Sequence, residues 1–155
     1  MDISAETTPE YQWAYSGDEN NVATYGRLYT WYAITDTRNV CPAGWHALSN
    51  EDWSTLLNYL GSADSAGGKL KEKGTVHWQT PNTGATNETG FSALPGGGRE
   101  SDGTFYRLGN GGFWWSSSEG YMELATYRSM NYDYSNVLIY YINKNYGFSV
   151  RCLQD

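Results

Sequence analysis

Charge is scarce in this chain, and it is lopsided. Charged residues make up 17% of the 155, with 17 Asp and Glu against 10 Lys and Arg, for a net charge of −7. No basic stripe or tail breaks that acidity, which excludes the electrostatic footprint of a nucleic-acid binder. No apolar run approaches the roughly 20 residues of a membrane span, so no insertion by this domain is expected. The start, Met1 to Glu6, has neither the cationic beginning nor the apolar stretch of a signal peptide. The two cysteines, Cys41 and Cys152, stand far apart and no C-x-x-C occurs, so the sequence offers no clustered metal site. Two readings of that pair stay open: a long-range disulfide, or two separate buried thiols.

Aromatics and glycine are what the chain has in plenty. Aromatic residues reach 16%, against only 39% hydrophobic residues in all, and there are 18 glycines. A core built on Trp and Tyr follows, with ring N–H and O–H groups that need partners. So much glycine with so little charge points to a turn-rich fold, not a helical bundle. Disordered chains are poor in aromatics, so disorder is excluded.

Residues 1–10 read as a polar leader and 11–155 as one domain. Tyr11 to Tyr15 alternates as a first strand, a polar loop covers Ser16 to Asn21, and Tyr25 to Tyr32 is a strand or a short buried helix. Ser49 is an N-cap ahead of Glu51 and Asp52, and Trp53, Leu56, Leu57 and Leu60 form one helical stripe stopped by Gly61. A second helix is predicted over Ser65 to Lys73, with Leu70 inward and Gly74 ending it. The glycine-rich span 74–112 predicts short strands at Phe91 to Leu94, Phe105 to Leu108 and Phe113 to Trp115. Asp102-Gly103 and Asn110-Gly111 mark hairpin turns within it. Further strands are expected at Ala125 to Met130, Val137 to Ile142 and Phe148 to Leu153. The fold class is therefore α+β, with two helices, short antiparallel strands and long loops.

Several motifs invite a catalytic reading and fail it. Pro95-Gly96-Gly97-Gly98-Arg99 lacks the Gly-Lys-Ser/Thr of a phosphate loop and reads as a glycine turn between core strands. His46 and His77 have no His or carboxylate at a ligand spacing, and His46 beside Trp45 reads as a packed scaffold residue. Asn87-Glu88-Thr89 has the form of a glycosylation sequon but reads as a hydrogen-bonded turn. Ser116-Ser117-Ser118 has no nucleophile elbow, and its hydroxyls are expected to satisfy buried backbone groups. Capping explains the carboxylates Glu51 and Asp52, and a turn explains Glu100 and Asp102, in place of a glycosidase pair.

The segment between Trp114-Trp115-Ser116-Ser117-Ser118-Glu119 and Gly147-Phe148-Ser149-Val150-Arg151-Cys152 is different. It holds seven of the fourteen tyrosines, interspersed with Asn, Ser and Asp. Tyr supplies rigid, amphipathic contact area at low entropy cost, while Ser and Asn add adaptable hydrogen bonds, as in a paratope. Tyr127 is expected to pack. Tyr132-Asp133-Tyr134-Ser135-Asn136 cannot be buried whole at either period, and grouped exposed aromatics mark an interaction surface.

Tyr25-Gly26-Arg27-Leu28-Tyr29-Thr30-Trp31-Tyr32, Cys41-Pro42-Ala43-Gly44-Trp45-His46, Ala66-Gly67-Gly68-Lys69-Leu70-Lys71, the run from Asn82 to Gly97 and the two framing motifs resemble the FISUMP family. This is the Fibrobacter succinogenes major paralogous domain, and the resemblance covers roughly residues 25 to 155. It implies a C-type-lectin-like fold related to formylglycine-generating enzymes. It also implies a target of diversity-generating retroelements, which rewrite adenine-containing codons in a C-terminal variable region, here about 116–146. On that pattern Trp114 to Glu119, Ala125, Arg128, Val137, Lys144 and Gly147 to Cys152 are scaffold. The diversified, ligand-binding positions are then Tyr121, Thr126, Ser129, Asn131, Tyr132, Asp133, Tyr134, Asn136, Leu138, Tyr140, Tyr141, Asn143 and Asn145. Met122 and Glu123 fit that codon origin poorly. Both cysteines fall in family motifs, which favours a Cys41–Cys152 disulfide closing a loop worth about 4–5 kcal/mol in the chain-entropy model.

The expectation is thus a recognition module and not an enzyme, without metal or cofactor. Its partner would be a protein or glycan receptor on a cell surface, and its place extracellular, on a bacterial surface or a phage virion tip. The alternative is a carbohydrate-binding or adhesion module without diversification. The Glu-Pro-Asn, Gln-Pro-Asp and Trp-Asn-Asp calcium motifs of sugar-binding C-type lectins do not occur in this sequence. Fold alone does not carry that function across.

Overall fold

The computed structural model describes residues 11–155, so the polar leader 1–10 lies outside the described residues. The clearest local structure is α3, Asn50–Tyr59, which follows α1 (Asn20–Tyr25) and α2 (Trp31–Ile34). Ser49 and Asp52 form a reciprocal capping box at its start. Its stripe buries Trp53 and Leu60 completely or nearly so, with Leu56 and Leu57 packed alongside. α4, Ala63–Leu70, begins and ends earlier than predicted, because Lys71 is extended and bridges to Ala93. The described residues therefore hold four α-helices where two were expected. α1 occupies part of the predicted polar loop, and Tyr25 to Tyr32 divides into a helix end, a strand and α2.

The main sheet has five strands: β4 (Gly96–Arg99), β5 (Phe105–Leu108), β6 (Gly111–Glu119), β7 (Leu124–Asn131) and β8 (Leu138–Asn143). Their order is β5-β4-β6-β7-β8. Two small ladders join β1 (Gln12–Trp13) to β2 (Leu28–Tyr29) and β3 (Trp45–Ala47) to β9 (Cys152–Gln154). The architecture is α+β and its sheet is mixed, since β4 pairs β6 in parallel and the other pairings are antiparallel. The glycine run is thus a strand and not a turn. Gly97 has φ +65°, and a Cβ there would meet the Tyr106 carbonyl oxygen at 2.5 Å, so only glycine fits. Asn110-Gly111 is no hairpin either, because β4 lies between β5 and β6. Phe91 to Leu94 forms only the bridge at Ala93, and the final strand is shorter than predicted.

Consecutive tryptophans explain how this sheet is buried on both faces. In a strand, neighbouring side chains point to opposite sides. Trp114 enters one core with Trp53, Leu70, Trp78 and Met130, under α3 and α4. Trp115 enters the other with Trp31, Phe113, Ala125 and Phe148. Three of the ring N–H groups find backbone partners: Trp31 donates to Ser116 O at 3.0 Å, Trp78 to Ala93 O at 2.9 Å and Trp115 to Tyr29 O at 2.7 Å. The indole nitrogens of Trp13 and Trp53 are buried without one among the described residues. Truncating either Trp114 or Trp115 to Ala would cost about 3–5 kcal/mol.

A disulfide joins Cys41 to Cys152, with Cα atoms 5.8 Å apart across 111 residues of sequence. It closes the chain beside the β3–β9 ladder, where Cys152 pairs with Ala47. Expected roles of small motifs hold here. The Ser117 hydroxyl donates to Ala47 O, and the Ser118 hydroxyl accepts from Asn50 N. Asn87 and Ser92 bond each other, and Asp102 accepts from Thr104 N.

Candidate functional site

The Tyr-rich segment is the β7–β8 hairpin, and its turn is tied down by backbone bonds. Lys71, at the end of α4, is buried and sends its ammonium to three carbonyls: Thr83 at 3.0 Å, Asn131 at 2.9 Å and Tyr134 at 2.7 Å. Burial pushes its pKa down to about 8, against the opposing pull of Asp133, and the three carbonyl oxygens replace the water it has lost. Thr83 N donates to Tyr132 O, Tyr132 N to Asn110 O, Gly68 N to Ser135 O and Val137 N to Ala63 O. The Ser135 hydroxyl adds a bond to Asp64 O. The turn backbone is thereby spoken for by α4, by the long loop 71–95 and by the start of β6.

Close approach is what makes this possible, and two helix glycines allow it. A Cβ on Gly67 would collide with the Asn136 carbonyl, and one on Gly68 with the Gly84 carbonyl. The Ala66-Gly67-Gly68 run is therefore a docking face for the turn. Side chains of the turn behave differently from its backbone. Asp133 and Tyr134 are exposed, while Asn131, Tyr132 and Asn136 are half-buried. Tyr132 packs on the core with Trp53 and Trp78, and Asn131 Oδ1 accepts from Arg107.

The remaining predicted positions do not join this turn in one patch. Tyr121 lies beyond the opposite end of β7, which at eight residues spans roughly 23 Å. There a pocket of about 460 Å³ is lined by Tyr121, Leu124, Tyr141, Asn50, Glu119 and, at its floor, Thr126. Tyr141 and Ile139 share one face of β8, while Tyr140 lies on the other face against Tyr127, 5.8 Å between ring centroids. Leu138 and Asn143 are half-buried, and Asn145 is exposed beside a different pocket. Thr126 and Ser129 are a correction: both are buried, because β7 is an inner strand with each face covered.

Exposed residues that sequence reasoning passed over are Met122, Leu124 and Ile139. Ile139 was legible from strand alternation with Tyr141. Met122 and Leu124 flank a turn and carried no such signal. Of the positions read as scaffold, Trp114, Ala125, Arg128, Val137, Lys144 and Phe148 are buried, Ser117, Ser118 and 149–152 are half-buried, and Glu119 is exposed. Lys144 reaches Glu119 at 2.9 Å and lies over the Trp31 ring.

His46 departs from its expected role. It is half-exposed, with Nδ1 2.6 Å from Asp155 and Nε2 3.3 Å from Asp52, so one nearby and one distant carboxylate bracket a ring read as packed. His77 likewise meets Glu72 at 2.9 Å. No group of three metal-ligating side chains occurs among the described residues.

A scan against family descriptions matches residues 2–154 of the chain to the Fibrobacter succinogenes major domain, so the match begins well before Tyr25. No curated protein and no solved structure matches the chain.

Proposed function

The chain belongs to the Fibrobacter succinogenes major domain family, and from that premise we propose that it is a recognition module. On this reading it displays a hypervariable surface on a C-type-lectin-like scaffold and is diversified by a retroelement. One observation carries the proposal: the backbone of 131–137 is bonded to scaffold atoms at Asn131, Tyr132, Tyr134, Ser135 and Val137, while Asp133 and Tyr134 point their side chains outward. Side chains can change on such a turn without changing its path, which keeps binding pre-organised. Tyr134 supplies an aromatic anchor at the turn, with Tyr140 and Tyr141 on β8 extending the surface. A disulfide suits an oxidising compartment, consistent with display on a bacterial surface or a phage tip.

The test has two arms. Flanking DNA is expected to contain a reverse transcriptase and a near-copy of the segment coding for 114–152, differing only at adenines. Replacing Tyr134, Tyr140 and Tyr141 together by Ala should leave the melting temperature nearly unchanged and abolish capture on bacterial cells or a glycan array. A large loss of stability with capture intact would overturn the reading.

A second reading, a carbohydrate-binding or adhesion module without diversification, rests on a different place. Tyr11, Trp13 and Tyr32 with Thr30, Arg99 and Asn145 line a pocket of about 660 Å³. Aromatic faces beside polar donors suit a sugar ring. Loss of glycan capture in Trp13→Ala, with no effect of the tyrosine triple, would favour it.

A further inference from the structure

A groove of about 570 Å³ lies between α3 and the segment entering β9, apart from the Tyr-rich hairpin. Leu48, Leu56, Phe91 and Leu153 make it apolar, and Tyr59, 86% exposed, stands at its rim. Its size falls within the roughly 300–1,000 Å³ of small-molecule sites.

Arg151 also lines this groove. Its Nη2 donates to Phe91 O at 3.1 Å and Ser92 O at 3.2 Å, and the guanidinium lies 4.7 Å from the Phe91 ring centroid. Those bonds engage one nitrogen of three. Nε and Nη1 have no protein partner among the described residues, and neither is sealed from solvent. Arg27, Lys69 and Lys144 each meet a glutamate, whereas Arg151 forms no ion pair among the described residues. Asp52 is the carboxylate on the groove wall, and its Oδ2 accepts from Ser49 N at 2.8 Å and from the Ser49 hydroxyl and lies 3.3 Å from His46 Nε2. Burial lowers the Arg151 pKa, in keeping with a charge that has lost water and gained no counter-ion.

We propose that this groove is a separate ligand site for small molecules that join an aryl or branched alkyl body to a single carboxylate. The body lies on Leu56, Phe91 and Leu153, and the carboxylate takes the free donors of Arg151. Charge-assisted bonds of this kind are shorter and stronger than neutral ones, so the anion sets specificity.

The probe is 4-phenylbutyrate, titrated into the full 155-residue chain by ligand-observed NMR, beside its neutral analogue 4-phenylbutan-1-ol. The acid should bind saturably and the alcohol at least about tenfold more weakly. Arg151→Gln should abolish the preference for the acid. Since Arg151 also holds the Phe91 loop, Thr55→Glu provides the decisive variant should Arg151→Gln fail to fold. Thr55 is an exposed helix residue on the groove wall, and a glutamate there should weaken the acid about tenfold and leave the alcohol unchanged. Equal affinity for acid and alcohol, indifference to Thr55→Glu, or no saturable binding below about 10 mM would overturn the proposal.

Discussion

The Lys71 ammonium donates to the Tyr134 carbonyl at 2.7 Å, while Tyr134 as a residue is 55% exposed. One residue thus has its backbone fastened to the interior and its side chain free. Lys71→Met keeps the volume and removes the donor for three carbonyls, which predicts a loss of about 2–4 kcal/mol. Tyr134→Ala touches none of those bonds and should cost no more than about 0.5 kcal/mol. Urea unfolding of the two variants checks the contrast.

Gly67 carries the same dependence from the helix side. Gly67→Ala places a methyl group against the Asn136 and Ser135 carbonyls, so the turn must move or the helix must shift. The expected cost is about 1–3 kcal/mol, outweighing the better helix propensity of Ala. Ser65→Ala, at an exposed position of the same helix, should stay within about 0.5 kcal/mol. Thermal melts of both variants decide.

The Cys41–Cys152 bond spans a separation of 111 residues. Its removal in a Cys41→Ser/Cys152→Ser double variant should lower stability by about 4–5 kcal/mol through the gain in unfolded-chain entropy. Denaturant midpoints with and without reductant should converge for the variant and differ for the native chain.

His46 makes a pH prediction. Its hydrogen bond to Asp155 raises its pKa, with Asp52 adding to the rise and desolvation opposing it. A raised folded pKa means that the stabilisation is fully present below the unfolded value near 6.5. It is lost as pH climbs through the folded value. An NMR titration of the His46 ring should give a midpoint above 6.5 in the native chain and a lower midpoint in Asp155→Asn.

How much was legible varied with the range of the interactions. α3 was readable because an N-cap with acidic residues in the first turn and a stripe at i, i+3, i+4 and i+7 are local. Gly96 to Arg99 was misread as a turn, since glycines in a strand signal close neighbours, and those neighbours, Tyr106 and Phe148, lie elsewhere in the chain. Lys71 sat in a recognised motif, yet nothing in its surroundings in sequence shows that residues 83, 131 and 134 converge on it. The contact of His46 with Asp155, at a sequence separation of 109, was missed for the same reason.

The sequence by itself determined the α+β class, the aromatic core and the Tyr- and Asn-rich character of the last forty residues, since composition and short-range periodicity suffice for these. Tertiary structure alone decided which residues of that segment reach the surface. β7 is an inner strand with both faces covered, so Thr126 and Ser129 are buried while Tyr140 and Tyr141, on the edge strand, are exposed. Strand order is a long-range property, and a strand buried on both sides carries no alternation from which to read it.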